Sequence, residues 1–152
     1  MHQELKTTDS VGRFKIDYKK ASLSKPNKLF SQGKGKHHIN LSRIRMGLSA
    51  LNNQRMMYQL IPDGSCDNCP SNREDVTHYF LKCPLYEHQR VILLEGIDRI
   101  IEQYPPKTRH NLKSIASKVQ LLIHGSPLLT PTSNQNILML CQNYIKNTGR
   151  FP

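Results

Sequence analysis

The chain has 152 residues, 37% of them apolar and none of them Trp, and its formal net charge is +11. No apolar run approaches the ~20 residues of a membrane span, and Met1–Lys20 is too polar to hold a signal-peptide core. The expectation is a basic, soluble, intracellular protein whose modest core calls for help, such as a metal. A positive surplus of this size favours a polyanion partner, most simply nucleic acid.

Met1 to His38 reads as an irregular basic arm, rich in Lys, Ser, Gly and Asn. Ser24-Lys25-Pro26-Asn27 and Gly33-Lys34-Gly35-Lys36 are loop chemistry, and Phe14–Tyr18 alternates as a short strand would. From Ile39 the pattern turns helical. Leu41, Ile44 and Leu48 recur at helical steps, with Gly47 as a stop. Ser49 suits the cap of a second helix, Ala50 to about Gln59, with Leu51, Met56 and Met57 inward. Pro62-Asp63-Gly64 is a turn.

Asp75–Lys82 reads as a short helix burying Val76, Tyr79 and Phe80. Pro84 opens a longer one, to about Gln103, with Val91, Leu94, Ile97, Ile100 and Ile101 inward and Pro105-Pro106 ending it. Ser114–His124 and Ser133–Thr148 are helical, ended by Gly125 and Gly149; Ile137, Leu140, Cys141, Tyr144 and Ile145 form the inward stripe of the last. The expected fold is mainly α, a small helical domain over 39–152 behind an arm over 1–38.

Three of the four cysteines fall between Cys66 and Cys83. With His78 they spell Cys66-x2-Cys69-x8-His78-x4-Cys83. A two-residue gap lets two thiolates clasp one ion, and a tetrahedral Zn²⁺ takes four such donors. Asp67 and Asn68 form the turn, Pro84 biases Cys83 out of helical angles, and Arg73 and Lys82 can offset the anionic site. The expectation is one structural Zn²⁺ in a CCHC knuckle over 66–83. A disulfide pair fits poorly with a chain lacking a secretion signal, and a redox Cys-x-x-Cys needs neither the distant His nor the third Cys. Cys141 lies on an apolar stripe and reads as core. Zinc would pin the second helix to the Asp75–Lys82 helix and hold Arg43, Arg45 and Arg55 on a firm, phosphate-facing surface. Lys34, Lys36 and the other arm lysines would add salt-sensitive attraction.

These residues carry a resemblance. The Leu41–Asn53 stretch with its Arg43-x-Arg45-x-Gly47-x-Ser49 pattern, the Cys-x2-Cys pair, and Glu74-Asp75-Val76-Thr77-His78-Tyr79-Phe80-Leu81-Lys82-Cys83-Pro84-Leu85-Tyr86 followed by Gln89-Arg90 resemble the C-terminal region of reverse transcriptases from non-long-terminal-repeat (LINE-type) retrotransposons. Leu121–Gly125 and Tyr144–Phe151 are similar to the end of that polyprotein, so the likeness runs from about Ile39 to the C terminus. The resemblance implies metal ligands at Cys66, Cys69, His78 and Cys83, a basic helix carrying Arg43 and Arg45, template RNA or target DNA as partner, and proximity to the polymerase body.

The gap before His78 is longer than in the retroviral nucleocapsid knuckle, so that knuckle's base-stacking residues are not transferred. No Asp-Asp box is present to hold catalytic Mg²⁺. A nuclease is not evident either, because Pro62-Asp63 precedes the metal motif and Asp98 and Glu102 lack a companion lysine. The chain therefore reads as a non-catalytic fragment of such a polyprotein or a degenerate reading frame. The competing reading is a docking or scaffold module with an apolar contact face on the last helix.

Overall fold

The computed structural model describes Gly33 and residues 35–152; the expected strand Phe14–Tyr18, Lys34 and the rest of the basic arm lie outside them. The described chain is mainly helical, with one two-stranded sheet. Helix α1 spans Gly35–Met46, so it begins upstream of the expected start and carries His37 and His38. Leu41 and Ile44 are buried, but Leu48 lies beyond the helix and is exposed. The stop is chemical. Gly47 takes φ +71°, its N–H reaches Ile44 O (3.1 Å), and Leu48 N–H reaches Arg43 O (2.8 Å). That pair of bonds satisfies carbonyls the helix end would leave open.

Helix α2 is short, Asn52–Met57. Its end repeats the same cap, Gln59 N–H to Met56 O and Leu60 N–H to Arg55 O (2.9 Å each), but with Gln59 at φ +60° where α1 has glycine. Its start differs from expectation. Ser49 binds Gln54 instead, and the first helical N–H, of Asn52, donates to the Glu74 carboxylate (2.7 Å). A carboxylate at a helix start meets both an orphan donor and the positive end of the dipole.

Two strands the sequence pattern does not signal follow, β1 (Ser65–Cys66) and β2 (Cys69–Arg73), antiparallel, with Cys66 opposite Cys69. Gly64 just before them is buried, and a Cβ there would lie 3.0 Å from Asn53 Cα. Val76, Tyr79 and Phe80 are buried as expected, but His78–Lys82 is a wide turn in which Cys83 N–H reaches back to His78 O (2.8 Å).

After a tight turn at Pro84–Tyr86 comes α3, Glu87–Ile101. Of the residues expected inward, Ile97 is buried and Leu94, Ile100 and Ile101 pack against the core, with Leu93 buried beside them, while Val91 is about half exposed. At the start of the helix Arg90 takes the inward position instead. Its Nε donates to Phe80 O (3.0 Å) and its Nη2 to Cys83 O, which closes the wide turn. Helix α4 (Pro106–Asn111) starts where the sequence suggested only a break, since Pro suits a first helical turn.

Helix α5 (Ile115–His124) is capped by Ser114 and α6 (Pro131–Thr148) by Thr130, and Gly149 at φ +61° ends α6. Helices α1, α3 and α5 pack around α6, burying Ile137, Leu138, Cys141, Tyr144 and Ile145. No helix among the described residues is long and apolar enough to cross a membrane.

Replacing Gln59 by glycine removes the side chain from a left-handed position, which costs an ordinary residue about 1 kcal/mol. We expect Q59G to raise the unfolding midpoint by a few degrees in a thermal melt, and Q59V to lower it.

Candidate metal centre

The site is built from two short pieces of chain. The hairpin presents Cys66 and Cys69 on either side of the Asp67-Asn68 turn, and Asn52 Nδ2 braces it by donating to Ser65 O (2.8 Å) and Asp67 Oδ1 (3.2 Å). The second piece starts at Asp75, whose carboxylate accepts from His78 N (2.7 Å), and ends at Cys83 in an extended conformation before Pro84.

Together they bring one ligand atom from each of Cys66, Cys69, His78 and Cys83 within 4.8 Å of one another. Cys66 Sγ and Cys83 Sγ lie 3.9 Å apart, and all the cysteines are free thiols. Cys66, His78 and Cys83 are buried and Cys69 is half-buried.

The donors fit a metal on more than spacing. Among the described residues, His78 Nε2 is buried with no hydrogen-bond partner, an expense that coordination of the imidazole would remove. Burial also holds His78 below its ordinary pKa, which keeps it in the neutral, ligating form. Burial, together with the neighbouring Cys66 and Cys69, pushes the Cys83 thiol up to about 11 against a backbone N–H from Leu85 that lowers it. The cluster can thus hold a metal ion, and three crowded thiols have a reason to do so: shared positive charge is what lets them ionise together.

The four expected ligands converge. The expected cationic contacts divide. Lys36 and Arg43 are exposed on α1, and Arg55 is half-buried at the end of α2. Arg45 turns inward instead; its Nε donates to Ile123 O (2.8 Å), and burial lowers its pKa. The reason is its place on α1, facing α5 rather than solvent. Cys141 is fully buried in α6 and stands apart from the cluster, with its thiol pushed far up by burial.

Sequence reasoning missed Glu74, Arg90 and Asn52, the polar residues that brace the two ligand-bearing pieces. All three lie in the stretches that carry the resemblance, but nothing in their spacing marked them as braces. Comparison with protein-family models, curated proteins and solved structures finds no match.

Because the folded Cys83 thiol titrates above an unfolded one, near 8.5, the metal-free fold keeps that group's contribution below this value and loses it as pH rises toward 11. Metal binding has the opposite sign, since it releases the thiol protons. In chelator-competition titrations, apparent metal affinity is expected to climb from about pH 6 to about pH 8. C69S and H78A should each cost more than the about 10–100-fold typical of a residue that only supports a ligand, while C141S leaves affinity unchanged.

Proposed function

We propose that this chain is a non-catalytic, zinc-stabilised nucleic-acid-binding module of the kind found in the C-terminal region of LINE-type retrotransposon reverse transcriptases. The observation that carries this reading is the convergence of Cys66, Cys69, His78 and Cys83, the ligand set the resemblance implies. Zn²⁺ is the ion we assign. Three thiolates and one imidazole are its usual structural donors, and two thiolates at about 2.3 Å in a tetrahedron stand about 3.8 Å apart, close to the 3.9 Å between Cys66 and Cys83. Four protein donors fill that tetrahedron, so the ion's work is to hold the fold and not to activate water.

Zinc in this position would tie the hairpin under α2 to the wide turn before α3. Its binding free energy would support a core of moderate size. The nucleic acid would lie along α1. Lys36 and Arg43 are two helical turns apart on one exposed face, about 10 Å along the axis, and Arg55 sits on the adjoining helix. These side chains would neutralise phosphates, and the arm lysines would add to that charge. Arg45, bound to Ile123 O, has a structural role in this scheme. An intracellular setting would suit this reading, since zinc-binding thiolates must stay reduced.

The docking reading retains one favourable observation. Leu85, Val91 and Ile92 are about half exposed, a surface a polymerase body could cover. The apolar stripe of α6, expected to serve that role, is buried in the core.

Fluorescence anisotropy with a single-stranded RNA and a DNA duplex, over a salt series, separates the two. The nucleic-acid reading expects affinity to fall steeply with salt, and K36A and R43A each to weaken binding and reduce the slope by about one. R45A should lower thermal stability while leaving that slope in place. Micromolar-or-weaker binding with no salt dependence would contradict the reading.

A further inference from the structure

Arg150, just past the end of α6, reaches far back along the chain, and its polar contacts fall on the segments that support the Cys66–Cys69–His78–Cys83 cluster. Arg150 grips Glu74 with a two-pronged ion pair, Nε to Oε1 at 2.6 Å and Nη2 to Oε2 at 2.7 Å, and its Nη2 also donates to Ala50 O (2.9 Å). The Glu74 side chain is only 5% exposed. A carboxylate so buried is costly unless paired, and Arg150 is the partner that satisfies it.

Glu74 is placed to act on both halves of the site. Its N–H donates to Gly64 O (2.9 Å) and its carbonyl accepts from Asn53 N (3.2 Å), which locks the end of β2 against the chain just before β1. Its Oε2 accepts from Asn52 N, and the Asn52 side chain holds the Ser65–Asp67 loop beside Cys66. On the other side Glu74 directly precedes Asp75, whose carboxylate sets the turn that carries His78.

The neighbouring Phe151 extends the same clamp. It is buried, with its ring edge-on to Tyr79 at 5.4 Å, and Arg150 lies 5.5 Å over it. Tyr79, the residue after His78, is held by two further groups of the last helix. Tyr144 Oη donates to Tyr79 O (2.6 Å), and Thr148 Oγ1 lies 2.7 Å from Tyr79 Oη. One short tail thus fixes the hairpin through Glu74 and Asn52, and the His78 turn through Tyr79.

We propose that Arg150 and Phe151 form a latch that positions the four metal ligands, so that docking of the C-terminal tail and metal binding strengthen each other. The proposal rests on the metal-binding reading of the cluster and not on the nucleic-acid reading. Linkage makes it reciprocal: whatever factor the docked tail adds to metal affinity, the metal adds to tail docking. A partner that captured the tail would therefore loosen the metal.

The test uses the full chain with Co²⁺ and Zn²⁺ as probes. Affinity is read by chelator competition, and ligand geometry by the Co²⁺ absorption bands. R150A should weaken metal binding about 10-fold and alter the Co²⁺ spectrum, as loss of a supporting residue does elsewhere. R150K, which keeps the charge but not the two-pronged fork, should fall between. L122A, a core truncation in α5, is the control for general destabilisation.

The converse readout needs no variant. In the wild-type chain, removing the metal should speed hydrogen exchange at the amides of Ile145–Phe151 more than at those of Val119–Ile123. R150A affinity no lower than that of L122A, or tail exchange indifferent to metal, would overturn the latch and leave the metal site standing. A wild-type chain that takes up neither ion would overturn the metal reading itself, and the latch with it.

Discussion

Three sulfurs and an imidazole held within 4.8 Å of one another are the constraint on which this fold turns. Left as bare groups they are a poor use of a buried position. The Cys83 thiol resists ionisation, and His78 Nε2 has no hydrogen-bond partner among the described residues. A bound cation would answer both problems at once, and in doing so would join two pieces of chain that share little other structure. The hairpin has only two short strands, and the His78–Lys82 turn is too short to stand alone. What lies between and around them is polar bracing from Asn52, Glu74, Asp75 and Arg90.

The helical body is the other half of the molecule, and it needs no metal to be understood. Helix α6 is wrapped by α1, α3 and α5, and its ends are set by Thr130 and Gly149. The two halves meet through aromatic rings. Tyr79 and Phe80, on the turn that carries His78, pack against Tyr144 of α6, with Tyr79 also touching Tyr86 and Phe151. Edge-to-face pairs of this kind add specificity of angle to the area they bury. The rings thereby tie the His78 turn to the last helix, on which α1 packs as well.

Much of this was legible in the residues, and the failures have physical causes. The four ligands were readable because metal chemistry demands particular side chains at particular spacings. Helices α5 and α6 were readable because Ser114, Gly125 and Gly149 mark their ends and their apolar positions keep a helical period. The face of α3 was legible from Leu94 to Ile101 and failed only at Val91, because at the start of the helix Arg90 takes the inward position, and a pattern of apolar residues cannot register a charged one bound to two carbonyls. Arg45 was misplaced for the same reason: its partner, Ile123 O, is distant in sequence. The cap of α2 went to Glu74 and not Ser49 because a carboxylate from another segment outcompetes a local hydroxyl. The hairpin was missed because strands so short leave no alternation to detect.

The most direct check on this account is the metal content of the purified chain, taken by native mass spectrometry beside the same sample denatured in acid. The account predicts one zinc ion per folded chain, lost on acidification, and absent from a variant with Cys66 and Cys83 both changed to Ser. A folded, monodisperse chain that carries no metal, or that keeps its zinc in the double variant, would contradict it.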